Sequence, residues 1–224
     1  METIDIIGII GRNHKEIKEF SFCRLHPQVL LQQRVEFSDV EKHQFDRAME
    51  LRNKTRMPFW DSIMLTSFDN PSYSKKFLEA AKMHNPNIEM LNISNDNMLD
   101  ERLKQLRGEN YGWNSLITLQ NGETAHIPLF DLHVPSSENN IRLVIETMHC
   151  LGLYNGYILN SGESYHYIHN DVYSTTKYHE MMKTALFYCP IIDRLWLAHQ
   201  MKNGSSTLRI GKKNGIYPLL VQRA

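Results

Sequence analysis

The sequence predicts an α/β fold of the α+β kind, a sheet with helices packed on one face. Three observations predict it. The first half alternates helix-spaced apolar residues with short apolar runs. In the second half, Asn121-Gly122 lies between two apolar segments, which marks a hairpin. The later segments read strand, helix, hairpin, helix, strand, as in a split β-α-β arrangement.

Taken in order, Ile4 to Ile10 reads as a short strand closed by Gly11. Ser38 caps a helix to Arg52, with Val40, Phe45, Met49 and Leu51 loosely periodic. Asp61 to Phe68 reads as a strand stopped by Asp69-Asn70-Pro71. Ser72 to His84 is helical, with Phe77, Leu78 and Ala81 on one face. Ile88 to Ile93 is a strand, and Asn95 to Leu106 a helix with Met98, Leu99, Leu103 and Leu106 aligned. The polar, glycine-bearing stretch Arg107 to Gly112 is the best internal boundary. It divides an N-terminal αβ lobe, 1–110, from a second lobe, 111–224, within what reads as one compact unit.

Ser115 to Leu119 and Glu123 to Phe130 form the hairpin strands. Ser136 or Ser137 caps a helix through Ile141, Val144, Ile145, Met148 and Leu151, and Gly152 stops it. Tyr154 to Leu159 and Tyr165 to His169 are strands. Thr175 to Cys189 is a helix ended by Pro190. Leu195 to Met201, Thr207 to Ile210 and Tyr217 to Val221 read as extended segments.

The 224 residues suffice for one large domain or two small ones, and 42% hydrophobic residues support a core. Lys+Arg and Asp+Glu number 25 each, so a polyanion must be met by a local patch. Such a patch exists: no acid follows Asp193, whereas Arg194, Lys202, Arg209, Lys212, Lys213 and Arg223 do. Cys23, Cys150 and Cys189 have neither zinc spacing nor an even count, so they read as isolated thiols. The start Met1-Glu2-Thr3-Ile4-Asp5 lacks a signal pattern, and no run reaches the roughly 18 apolar residues of a membrane span. The expectation is no membrane and a reducing cytoplasm.

One constellation looks like chemistry. Asp131 and Asp193 both adjoin apolar runs, and carboxylates on neighbouring strands can share a hard cation. They read equally as a strand cap and a surface ion-pair partner. His133, two residues from Asp131, is a candidate ligand favouring a transition metal, or a polar strand-end residue. The turn Ser161-Gly162-Glu163-Ser164 leads to His166, where small residues admit an anion to backbone amides and His166 adds a donor. It also reads as an ordinary hairpin turn. Arg209 can clamp a phosphate with Lys212 and Lys213 adding charge, or sit in a solvated basic hairpin.

Together these pieces resemble the archaeo-eukaryotic primase superfamily, the primase-polymerases, and within it the primase 1D-like group. Asp131-Leu132-His133 aligns with its acid-x-acid motif, Ser164-Tyr165-His166 with its Ser-x-His turn, and Ile192-Asp193 with its third acid. Leu208-Arg209-Ile210 and Lys212-Lys213-Asn214-Gly215 look like its Arg-rich strand and Lys-Thr-Gly tail. The resemblance spans Leu116 to Val221. It implies an RRM-like catalytic sheet and a nucleotidyltransferase using Mn2+ or Mg2+, with nucleoside triphosphate and a DNA or RNA template as partners and a protein partner in a replication or defence complex. It assigns Asp131, His133 and Asp193 to the metal and catalysis, and Ser161, Gly162, Ser164, His166, Arg209 and Lys212 to the nucleotide. The chain departs from the pattern at His133, where the family carries a second acid, and the charge lost there puts two-magnesium chemistry in question. The companion reading is a catalytically degenerate relative that binds nucleotide or nucleic acid without turnover.

Overall fold

A computed structural model describes residues 1–25, 36–55, 57, 59–67, 75–77, 79, 89–108, 110–189, 191–213 and 215–224. The chain divides into two compact units, Met1–Leu25 with Ile88–Ala224, and His26–Asn87.

The larger unit holds two antiparallel sheets. The first contains β1 (Ile17–Arg24), β2 (Met90–Ser94), β3 (Tyr111–Leu119), β4 (Thr124–His126), β8 (Tyr173–Ser174) and β9 (Thr207–Arg209). Its order is β2-β1-β3-β4-β8, and β9 pairs with β3 at Gly112–Asn114 while β4 pairs at Leu116–Thr118. The second contains β5 (Leu129–Asp131), β6 (Gly156–Asn160), β7 (Tyr165–His169) and β10 (Leu219–Arg223), in the order β10-β6-β7-β5. Ile127 and Pro128 alone separate β4 from β5, so the chain passes directly from one sheet to the other. This antiparallel α+β architecture matches the sequence expectation.

One core joins the first sheet to the helices Thr3–Asn13 and Leu99–Leu106, through Phe20, Phe22, Trp113 and Ile117. A second joins β5, β6 and β7 to the helices Glu138–Cys150 and Thr175–Ala185, through Phe130, Ile158, Tyr167, Val144 and Tyr178. Ser137 caps the first of these helices by accepting from the Asn140 N–H at 3.3 Å. Ser174 caps the second, accepting from Lys177. Turn chemistry closes both ends of the site-bearing segments: Gly122 sits at φ +85° in the β3–β4 hairpin and Gly162 at +111° in the β6–β7 hairpin.

Three expected elements differ. Ile4 to Ile10 lies in the helix Thr3–Asn13, not a strand. Its β-branched residues favour a strand locally, but Ile4 and Ile7, and Ile6 and Ile10, are spaced for one helical face and are buried. Burying each such side chain contributes about 1.5–3 kcal/mol, which outweighs propensity. Asp61 to Thr66 lies in the helix Phe59–Thr66, since a short apolar run does not by itself distinguish strand from helix. Leu195 to Met201 lies in the helix Arg194–Asn203, bracketed by the Asp193 cap and by Gly204 at φ +73°.

The helix expected from Ser38 is Asp39–Thr55, with a reciprocal cap in which Glu41 accepts from the Ser38 N–H at 2.7 Å. Of the helix expected over 72–84, residues 75–77 and 79 are described and helical; the rest lie outside the described residues. The helix expected from Asn95 begins at Leu99, because Asn95 instead donates to the carbonyls of Gly11, His14 and Ile17. The helix expected to reach Cys189 ends at Ala185 and tightens into a 3-10 turn, Leu186–Tyr188.

Candidate active site

Asp131 ends β5, and its direct cross-strand partner in β7 is His166. The pair lies with His166 Nε2 3.8 Å from Asp131 Oδ1. Beyond Asp131 the chain is bridged by Leu132 to Ile192, so the second acid arrives beside the first. The Asp193 N–H donates to the Asp131 carbonyl at 3.1 Å, and the His133 N–H donates to the Ile191 carbonyl at 2.7 Å.

The two acids differ in their partners. Asp193 is the N-cap of the helix Arg194–Asn203: its Oδ1 accepts from the Trp196 N–H at 2.8 Å. Its Oδ2 lies 3.5 Å from His133 Nδ1. The Asp131 carboxyl is pushed up to about 7 by burial and by the charge of Asp193; Lys213, Arg209 and the Leu132 amide offset only part of this. His166 is buried and pushed down to about 3, by burial and then by Arg209 and Lys213. The ring is therefore neutral at pH 7, and its Nδ1 is buried without a hydrogen-bond partner among the described residues.

The Ser161–Ser164 turn is more occupied than its small residues suggest. The Ser161 N–H donates to the Ser164 carbonyl at 2.9 Å, and the Gly162 N–H to Asn160 Oδ1 at 2.8 Å. Ser164 Oγ donates to the Leu132 carbonyl. These bonds pin the turn against the strand end that carries Asp131. Arg209, at the end of β9, donates to the carbonyls of Ser161 and Gly211, the latter at 2.8 Å. Burial lowers its pKa while Asp131 raises it. Sequence reasoning brought together Asp131, His166, Asp193, His133, the turn and Arg209, and the structure does so too. Lys212 lies over the Tyr217 ring at 5.0 Å, and Arg107 approaches the same ring at 5.2 Å.

Two further residues stand near the acids: Lys213, expected from the sequence only as added charge beside Arg209, and Trp196, which the sequence does not single out. Lys213, adjacent to Lys212, is the lysine whose charge acts on Asp131 and His166. A tight turn aims it, with the Lys213 N–H donating to the Ile216 carbonyl at 2.9 Å. Only the run of paired lysines hinted at it. Trp196 had no sequence signal beyond its position three residues after Asp193.

The resemblance implies divalent metal, and the donor set answers in part. Among the described residues, no group of three or more His, Cys, Asp and Glu side chains is arranged to hold a metal ion. Asp131 and Asp193 nevertheless fit one divalent cation in charge and chemistry: two carboxylates repel each other here, and a cation relieves that repulsion. A second cation is not matched, because His133 supplies no anionic oxygen.

No curated protein and no solved structure gives a significant match. Among the described residues, no helix is long and apolar enough to cross a membrane. A family model, archaeo-eukaryotic primase 1D-like, matches residues 89–222. That stretch is more than half of the chain and reaches upstream of Leu116 to take in β2 and the helix Leu99–Leu106. By this match, the chain belongs to the archaeo-eukaryotic primase 1D-like family.

Proposed function

We propose that the protein is a primase-polymerase-type nucleotidyltransferase acting on nucleoside triphosphates and nucleic acid. The observation that carries the reading is the Asp131–Asp193 pair, two acids tied backbone to backbone beside a buried neutral histidine and a half-buried arginine. Asp131 and Asp193 would hold one divalent cation, which would supply neutralisation of the charge on the triphosphate oxygens. An imidazole beside the carboxylates favours manganese over magnesium.

The remaining work falls to the chain's own groups. His166 is neutral and offers one N–H to a phosphate oxygen. Arg209 and Lys213 lay positive charge beside Asp131 and His166. The Ser161–Ser164 turn holds Arg209 in place through its carbonyl, so its role is to position rather than to bind directly. Burial lowers the local dielectric, which strengthens each of these charge interactions.

Primer extension with magnesium, manganese or cobalt tests the reading. Extension with manganese that disappears in Asp131→Ala and Asp193→Ala supports it. Triphosphate binding without any product would assign the protein to binding alone. Activity that survives either substitution would show that the site is elsewhere.

A further inference from the structure

Trp196 meets the three elements that carry Asp131, Asp193 and Arg209. Its backbone N–H holds Asp193 Oδ1 at 2.8 Å. Its indole Nε1–H donates to the Thr207 carbonyl at 3.1 Å, in β9 and two residues before Arg209. Its ring lies 6.3 Å from that of Phe130, the neighbour of Asp131 in β5. The side chain is half-buried and packs against both hydrophobic cores.

These three contacts have different physical characters. The first fixes the carboxylate through a charge-assisted bond to a helix N-terminus. The second is a directional bond to a β-strand carbonyl, and indole nitrogen can only donate. The third is an aromatic contact at an interplanar angle of 50°, which resists sliding of β5 past the helix. A core residue needs only the third. A tryptophan whose main chain and indole each hold a different site-bearing element does more than fill space.

We infer that Trp196 is the positioning residue of the site, a clamp that fixes the carboxylate of Asp193 and the guanidinium of Arg209 relative to Asp131. This rests on the nucleotidyltransferase reading, since it assigns Asp131, Asp193 and Arg209 to one ligand. The two ligand halves are then linked through one residue, the first by its main chain and the second by its indole. Asp193 belongs to the cation side, and Arg209 to the phosphate side. Phenylalanine at 196 keeps the backbone N–H and the ring but loses the bond to Thr207. It should loosen Arg209 while leaving the Asp193 cap intact.

Calorimetry on the full chain, with manganese alone and with manganese plus a non-hydrolysable nucleoside triphosphate, separates the outcomes. In Trp196→Phe the triphosphate should bind about tenfold more weakly, the scale of one charge-assisted hydrogen bond, with manganese affinity changed less than about twofold. A residue that only fills the core would lower the melting temperature and leave that ratio unchanged. If the variant does not fold, hydrogen exchange on the unaltered protein replaces it. Adding the manganese–triphosphate pair should then protect the Trp196 amide together with those of Thr207–Ile210. Equal triphosphate affinity in wild type and Trp196→Phe, or protection that bypasses Trp196 and β9, would overturn the clamp while leaving the nucleotide reading intact. Failure of the wild type to bind any triphosphate would overturn both.

Discussion

The Asp193 N–H donates to the carbonyl of Asp131 at 3.1 Å, so the two acids are fixed to each other through their main chains before any ligand arrives. Side-chain rotation can change how their carboxylates meet, but the spacing of their backbones is set by the fold. The Leu132–Ile192 bridge stands beside this bond and reinforces it.

Asp131 gives the protein an alkaline weakness. Its folded-state value of about 7 lies above the ordinary 3.8, because of burial and then Asp193. Protonated Asp131 therefore favours the fold; this contribution is complete below about pH 3.8 and is lost as pH rises through about 7. Asp131→Asn keeps the shape and removes the charge. It should raise the melting temperature at pH 8 and change it little near about pH 3.5, below both values. The side chain is 35% exposed, so solvent screening holds the gain to about 1 kcal/mol, or roughly 2–4 °C. Thermal melts at the two pH values measure it.

His126 acts at the acid end. It is stacked on Tyr178 with ring centroids 4.1 Å apart, and its Nδ1 lies 3.2 Å from Ser115 Oγ. Burial, then the charge of His179, pushes it down to about 4. The neutral ring favours the fold above about pH 6.5, and this contribution is lost as pH falls through about 4. His126→Phe keeps the stacking and cannot be protonated. It should flatten the loss of stability between about pH 6.5 and 4, measured by urea midpoints across that range.

Much of this was legible because it is local. The Asn121-Gly122 hairpin, the Ser137 cap and the strand-end position of Asp131 each depend on a few adjacent residues, and all appear as expected. β1 shows the opposite case, since no element is expected from the sequence over Ile17–Arg24. β1 carries Lys18, Glu19 and Arg24 among its apolar residues, and its partners, Ser94 and Leu119, are far away in sequence. The helix after Asp193 was misread because a strand-length apolar run and a helix share the same residues; its Asp cap and Gly204 stop were the signals to weigh. The clamp at Trp196 and the charge of Lys213 on Asp131 exist only once three distant segments meet, so no local pattern encodes them.

Arg209 tests the phosphate side. Its guanidinium is already forked between the Ser161 and Gly211 carbonyls. Arg209→Lys keeps the charge but cannot reproduce that fork. Triphosphate affinity should fall about tenfold or more, with the melting temperature lowered as the turn loosens. Titration calorimetry and melts on the same sample separate the two effects.

His133 tests the cation side. Its imidazole faces Asp193 Oδ2 at 3.5 Å. His133→Asp adds a third carboxylate beside the pair. Cation affinity should rise, and the preference for manganese over magnesium should narrow, as oxygen replaces nitrogen. Manganese and magnesium titrations of wild type and variant read out both changes.

The central claim is that Asp131 and Asp193 together hold the cation that a triphosphate needs. Calorimetry of a non-hydrolysable nucleoside triphosphate, with and without manganese, on wild type, Asp131→Asn and Asp193→Asn tests it most directly. Asparagine preserves the cap at 193, so a lost signal there reports the carboxylate and not the helix. The account predicts manganese-dependent binding in the wild type and its loss in both variants, with neither melting temperature lowered. Triphosphate binding that is equally strong without metal, or unchanged in Asp193→Asn, would contradict it.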